Sequence, residues 1–112
     1  MESTQVVKAL AALAQESRLA IFRSLVQSGP QGLSVGKIAE HLDISSATLS
    51  FHLKELTHAG LLNSRQDGRF VIYSASFDAM NDLLAFLTAN CCGGNPCTPV
   101  AACVAVEDPR AT

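Results

Sequence analysis

Two serine-capped helical segments separated by a tight turn constrain this chain more than any other feature. Ser34 precedes "VGKIAEHL", and Ser45 precedes "SATLSFHLKELTHA", which Gly60 ends. A serine before an apolar-periodic run is a strong helix start signal, and a glycine after the run is a common stop. Asp43 and Ile44 form a tight turn between the two segments. The pattern therefore predicts a helix-turn-helix.

The second helix of this pair has one apolar side, because Leu49, Leu53 and Leu56 recur at helical spacing and predict a buried stripe. The opposite face carries small, aromatic and basic side chains: Ser46, Ala47, Ser50, Phe51 and Lys54. The start of such a helix meets base edges in the major groove of DNA, and a lysine suits phosphate. These five residues are candidate DNA contacts.

After Gly60 the pattern changes from helix to strand in "LLNSRQDGRFVIYSAS". The "DG" pair predicts a hairpin with its turn at Asp67–Gly68. A hairpin directly after a helix-turn-helix is the wing of a winged helix. Arg65 and Arg69 flank the turn and suit phosphate or minor-groove contacts. A single arginine is often only a solvated surface charge, but two around a wing favour DNA.

Phe51 has two interpretations that the sequence leaves open. An aromatic side chain on a DNA-reading face can pack on a thymine methyl group. Alternatively it folds back against the wing.

Three more helices are predicted, two before this unit and one after it. Residues 5–15 form the first, "ESRLAIFRSLVQS" capped by Ser17 forms the second, and "FDAMNDLLAFLTAN" forms the last. The last helix has an apolar stripe of Phe77, Met80, Leu83, Leu84 and Leu87. The predicted fold class is mainly α, a winged helix-turn-helix with the order α-α-α-α-β-β-α.

Length and composition restrict the class of protein. The 112 residues, 48% of them apolar, suit one domain, and no apolar run approaches the roughly 20 residues of a membrane span. The N-terminus lacks the features of an export signal, so a cytoplasmic location is expected. No enzyme motif is present. The net charge of −2 argues mildly against nucleic acid, although local charge counts for more than the total.

Three cysteines are clustered in "ANCCGGNPCTP", residues 89–99. Clustered thiols in the cytoplasm more often bind metals or do redox chemistry than form structural disulfides. Of the histidines, His52 lies near the leucine stripe and is expected to be half-buried. His41 and His58 have no partner at metal-ligand spacing, so no histidine is assigned to a metal.

The segments "ALAQESRLAIFRSL", "IAEHLDISSATLSFHLKELTHAGLL" and "DGRFVIYS" resemble the ArsR/SmtB family of metal-responsive winged-helix repressors. The resemblance runs from about residue 6 to residue 90. It implies a homodimer, formed through the first and last helices, that blocks transcription until an ion binds. One recognition helix per chain in a symmetric dimer predicts an inverted-repeat operator. The resemblance also divides the chain into a DNA-binding and dimerisation domain, residues 1–90, and a thiol-rich tail expected to be flexible, residues 91–112.

Two ion sites known in this family are absent here. Ser34, Val35 and Gly36 stand where one arsenic site has a Cys-Val-Cys pair. Asp78 and Asp82 match part of a zinc site in the last helix, but this stretch contains no histidine.

A third arrangement fits. One arsenic-responsive branch of the family has an adjacent cysteine pair and a third cysteine after its last helix, as "NCCGGNPC" does here. The resemblance implies that Cys91, Cys92 and Cys97 bind As(III), since soft thiolates select soft ions. Glycine and proline between them allow Cys97 to fold back. Cys103, in an apolar stretch, is expected to be a spare or packing thiol.

Several alternatives remain at this point. The inducer is As(III), Sb(III) or a methylated trivalent arsenical, and the last needs only two thiolates. Zinc fits an adjacent cysteine pair less well. The thiols are otherwise a redox switch through Cys92 and Cys97, or inert. A protein of another class, an arsenic carrier, would need neither a recognition helix nor a wing.

Overall fold

The computed structural model describes residues 1–89, which form five helices and three strands. In chain order these are α1 (Ser3–Leu13), α2 (Glu16–Ser28), β1 (Leu33–Ser34), α3 (Val35–Leu42), α4 (Ser46–His58), β2 (Leu62–Asp67), β3 (Phe70–Ala75) and α5 (Phe77–Leu87). The predicted winged helix-turn-helix is confirmed, with the short strand β1 added between α2 and α3. The predicted tail, including Cys91, Cys92, Cys97 and Cys103, lies outside the described residues.

The start of α2 differs from the sequence prediction. Ser17 is an internal residue of the helix, and the cap is Gln15, whose side-chain Oε1 accepts a hydrogen bond of 2.9 Å from the backbone N–H of Arg18. An oxygen at the cap position satisfies one of the free N–H groups of the first turn whichever residue supplies it. The prediction was wrong because glutamine is a less common cap than serine.

The three strands form one antiparallel sheet in the order β1-β3-β2. Asp67 pairs with Phe70, so the two residues of the turn are Gly68 and Arg69, one position later than predicted. Gly68 has a φ of +64°, whereas Arg69 is outside the positive-φ region. A glycine with positive φ at the first turn position suits the twist of a two-residue hairpin.

Strand β1 was not predicted because it has only two residues. It pairs Leu33 with Tyr73 and Ser34 with Ile72 on the outer edge of β3. Gly32, directly before it, has a φ of +73° and lies so close to β3 that a Cβ atom there would overlap the carbonyl oxygen of Tyr73. Only glycine permits both the backbone conformation and this approach.

The core lies between the helices and the inner side of the sheet. Its fully buried large side chains are aliphatic and come from α2, α3, α4 and the residue before β2: Ile21, Leu25, Ile38, Leu49, Leu53, Leu56 and Leu61. The predicted leucine stripe of α4 is therefore confirmed. Burying one such side chain stabilises the fold by about 1.5–3 kcal/mol, so α4 is held firmly against α2 and α3.

Helix α5 is less buried than its apolar stripe suggested. Within this single chain Leu83 is buried, whereas Leu84 is 38% and Leu87 is 55% exposed. None of the helices within residues 1–89 has the length and apolarity that crossing a bilayer requires.

Candidate nucleic-acid interface

The helix-turn-helix consists of α3 and α4, and two serine caps define where each helix begins. Ser34 accepts a hydrogen bond from the backbone N–H of Lys37, and Ser45 accepts one from Thr48 and donates another to the Thr48 hydroxyl at 3.0 Å. Asp43 ends α3 in the left-handed conformation, with a φ of 54°. Aspartate tolerates this conformation better than most residues, so the chain reverses within a very short turn.

The end of α4 leads directly into the wing. Gly60, with a φ of +81°, donates its N–H to the Thr57 carbonyl, and Leu61 donates to the Leu56 carbonyl at 3.0 Å. This pair of bonds is a Schellman motif, and both of its leucines are fully buried. The wing is thereby attached to the buried end of α4.

Helix α4 has a buried face and an exposed face. The buried face consists of Leu49, His52, Leu53 and Leu56. The five predicted DNA contacts on this helix are all exposed: Ser46, Ala47, Ser50, Phe51 and Lys54. Phe51 is 55% exposed, so it does not fold back into a buried site against the wing. The side chains that remain available on α4 thus match those that a recognition helix presents to DNA.

Both wing arginines are exposed, but they differ in their surroundings. The Nη2 atom of Arg65 donates a hydrogen bond of 2.9 Å to the carbonyl oxygen of Gln31, in the loop between α2 and β1. Arg69 is the second residue of the hairpin turn. Arg65 therefore fastens the wing to the body of the domain, while Arg69 stands at its tip.

The wing also exposes two apolar residues that sequence reasoning treated only as strand formers. Phe70 is 63% and Val71 is 37% exposed. Strand preference alone gives no indication of exposure, because these residue types are equally common on the buried side of a sheet.

His52 is more buried than expected, at 7% exposure, and its Nδ1 lies 3.4 Å from Nη1 of Arg18 in α2. Burial, and then the positive charge of Arg18, lower the pKa of the His52 imidazole below its usual range. His41 and His58 are exposed. Within residues 1–89, no three His, Cys, Asp or Glu side chains are grouped closely enough to hold a metal ion.

Asp78 and Asp82, which match part of a zinc site of the family, line an open cleft of about 480 Å³ together with Lys8 and His58. The described part of the chain offers no complete set of metal ligands there. The three predicted thiol ligands, Cys91, Cys92 and Cys97, lie outside the described residues, so their arrangement stays a prediction.

A family described as a helix-turn-helix domain matches residues 13–65. Among curated proteins, the chain is 42% identical to an uncharacterised HTH-type transcriptional regulator, YceK of Bacillus subtilis, over 65% of this chain and 72% of that protein. It is 33% identical to the transcriptional activator HlyU of Vibrio cholerae over 83% of each chain. It is also 39% identical to a putative arsenical resistance operon repressor, ArsR of Halobacterium salinarum, over 62% of this chain and 54% of that protein.

Solved structures agree with these sequence relatives. HlyU from Vibrio cholerae superimposes with a TM-score of 0.62 at 37% identity, covering 78% of this chain and 97% of that one. An ArsR-like transcriptional regulator from Rhodococcus gives a TM-score of 0.67 at 28% identity, covering 75% and 76%. A domain of a possible ArsR-family regulator from Mycobacterium bovis, described as a homodimeric winged helix-turn-helix, gives 0.64 at 28% identity, covering 76% of each chain.

These relatives are transcriptional regulators and not enzymes, and their shared helix-turn-helix is a DNA-binding unit. The exposed face of α4, the attached wing and this set of relatives lead to one assignment. The chain belongs to the ArsR/SmtB family of winged helix-turn-helix, DNA-binding transcriptional regulators.

Proposed function

We propose that this protein is a homodimeric repressor that leaves its operator when trivalent arsenic binds Cys91, Cys92 and Cys97. The observation that carries the proposal is the position of these thiols in the chain. Cys91 is the fourth residue after Leu87, the last residue of α5, so the thiols directly follow a helix with an exposed apolar side.

The DNA-binding part of the proposal rests on the exposed face of α4 and on the wing. Ser46, Ala47, Ser50 and Phe51 are suited to base edges, and Lys54, Arg65 and Arg69 to phosphate. We propose an inverted-repeat operator, because a two-fold symmetric dimer presents two copies of α4, and its half-sites would lie about one helical turn or a multiple of it apart.

The dimer is supported by apolar side chains that a single chain leaves exposed on its first and last helices. Val7 and Leu10 of α1 are 65% and 41% exposed, and Leu84, Phe86 and Leu87 of α5 are similarly accessible. Large apolar side chains exposed on two helices in this way are typical of a surface that another chain covers. The homodimeric relative from Mycobacterium bovis is consistent with a second copy as the partner.

The ligand chemistry is a balanced exchange of oxygen for sulfur. Arsenious acid and three thiols give an arsenic tris-thiolate and three waters, with no change in oxidation state. The arsenical resistance repressor among the relatives supports arsenic as the inducer, and cadmium resistance regulators from Listeria innocua and Lactococcus lactis also match. Other relatives, such as HlyU, have names that mention no metal. Membership of the family alone therefore does not specify the ligand.

The test is a gel shift with DNA from upstream of the protein's own gene, under reducing conditions, with increasing arsenite. Cys91→Ser, Cys92→Ser and Cys97→Ser should each bind the DNA normally and resist release, and Cys103→Ser is the matched control that should release normally. Parallel titrations with Sb(III), methylarsenite and Zn²⁺ identify the ion. Normal release by the first three variants would contradict the proposal.

Sensing of thiol oxidation is a second candidate function. It is favoured by the match to a solved structure described as reduced HlyU from Vibrio cholerae. Here Cys92 and Cys97 would form a disulfide, losing two electrons and two protons to an oxidant such as hydrogen peroxide. Release by peroxide that is reversed by a dithiol, together with no response to arsenite, would favour this function.

A further inference from the structure

Arg18 connects three helices of the domain. It belongs to α2, its Nε donates a hydrogen bond of 2.7 Å to the carbonyl oxygen of Ala12 near the end of α1, and its Nη1 lies 3.4 Å from Nδ1 of His52 in α4. The Ala12 carbonyl is one of the last four in α1, which have no partner within their own helix. A cation at this end is also favoured by the helix dipole.

The contact with Arg18 determines the proton position on His52. A guanidinium is always protonated and only donates hydrogen bonds, so Nδ1 of His52 has to be the acceptor. The imidazole is then neutral and carries its proton on Nε2. A second proton would place an N–H and a positive charge against the guanidinium.

His52 is the one buried polar side chain among residues 1–89, and it lies directly beside Phe51 on the candidate recognition helix. The two rings are 5.7 Å apart and tilted by 57°. His52 is thus buried in the same turn of α4 that carries Ser50 and Phe51, so a charge placed on its ring acts directly on that turn. Helix α4 packs on both α1 and α2, so its position in the domain depends on the positions of those two helices.

We infer that Arg18 is a positioning residue for the recognition helix, linking α1 to neutral His52, and that operator affinity falls when His52 takes up a proton. This goes beyond ion sensing, since it requires operator binding but none of the thiols. It adds a dependence on pH and gives α1, a helix proposed to form the dimer, a direct connection to the DNA-reading helix.

The groups near this contact agree with a neutral His52. Arg18 lines a cleft of about 360 Å³ with Lys8 from α1 and with Glu55 and His58 from α4. The remaining titratable groups on the elements that pack against α4 are all exposed: Glu16 and Arg23 on α2, Lys37, Glu40 and His41 on α3, and Arg65 and Asp67 on β2. Burial and Arg18 lower the pKa of His52, so its neutral form persists below the pH at which an ordinary histidine becomes charged.

The test measures affinity for upstream DNA between about pH 7.5 and about pH 5, a range that extends below the ordinary titration range of histidine because the pKa of His52 is lowered. His52→Asn keeps an oxygen acceptor at the position of Nδ1 but cannot titrate, and His58→Asn is the matched control on the same helix. We expect the affinity of wild-type protein and of the control to fall several-fold relative to His52→Asn as the pH decreases. Coincident profiles for wild type and His52→Asn would overturn the inference.

A measurement on wild-type protein covers the case in which the variant does not fold. Nitrogen chemical shifts of the imidazole, read by NMR, should show Nε2 protonated and Nδ1 unprotonated at neutral pH, with a titration midpoint below the ordinary histidine value of about 6.5. The opposite tautomer, or a midpoint at or above this ordinary value, would refute the arrangement. In Arg18→Gln the midpoint should move up, because the neighbouring charge is gone.

Discussion

Arg65 and Gln31 are 34 residues apart in sequence, and the guanidinium of the first donates a 2.9 Å hydrogen bond to the backbone carbonyl of the second. This bond joins β2 of the wing to the loop between α2 and β1. Arg65 is thus a structural residue of the wing as well as a candidate phosphate contact.

Arg65 and Arg69 should consequently differ when each is replaced by alanine. Both changes remove a cation from the wing, so each should reduce the slope of log affinity against log salt by about 1. Only Arg65→Ala also loses the bond to Gln31, and we expect it to lower the free energy of unfolding by about 0.5–1 kcal/mol. Thermal unfolding and salt-dependent gel shifts measure the two effects. Equal stability of the two variants would show that the bond contributes nothing.

Gly32→Ala should destabilise the domain by more than about 2 kcal/mol, because the new methyl group meets the Tyr73 carbonyl and the backbone has positive φ. Gly36→Ala is the control, since a Cβ at this exposed position in α3 meets nothing. The control should be neutral or more stable by up to about 1 kcal/mol, as expected for alanine in a helix. Denaturant unfolding of both variants tests the close approach of the Gly32 loop to β3.

Lys54 and Ser50 should have separable roles on the exposed face of α4. Lys54→Ala should weaken binding to all DNA sequences alike and reduce the salt slope by about 1. Ser50→Ala should leave the salt slope unchanged and alter the preference among operator variants by about 1 kcal/mol per base pair affected. Competition gel shifts with single-base operator variants distinguish them, and the same pattern for both would disprove this division of roles.

Leu87→Glu should convert the proposed dimer into a monomer. Leu87 is 55% exposed in the single chain, and a symmetric interface through α5 would bury it twice, at about 1.5–3 kcal/mol per side chain. Sedimentation at micromolar concentration gives the oligomeric state. Phe70→Glu, at an apolar position on the wing that is 63% exposed, is the control and should stay dimeric. If the Leu87→Glu protein is still dimeric, the interface does not include Leu87.

The helices, the turn of the helix-turn-helix and the hairpin were determined by the sequence itself, because their signals are local. Ser34 and Ser45 cap the helices that follow them, and the leucine period places Leu49, Leu53 and Leu56 on one buried stripe. Because this stripe faces the core, the opposite side of α4 is exposed. The candidate thiol ligands likewise came from sequence alone and stay a prediction.

Tertiary structure decided which side chains meet across the chain. Arg18 with His52 and Arg65 with Gln31 are each 34 residues apart, so no local pattern could pair them. The two-residue strand β1 exists only because β3 lies beside it to supply the hydrogen bonds. The exposure of Leu87 depends in the same way on which helices cover α5, since an apolar period marks a contact face without naming its partner.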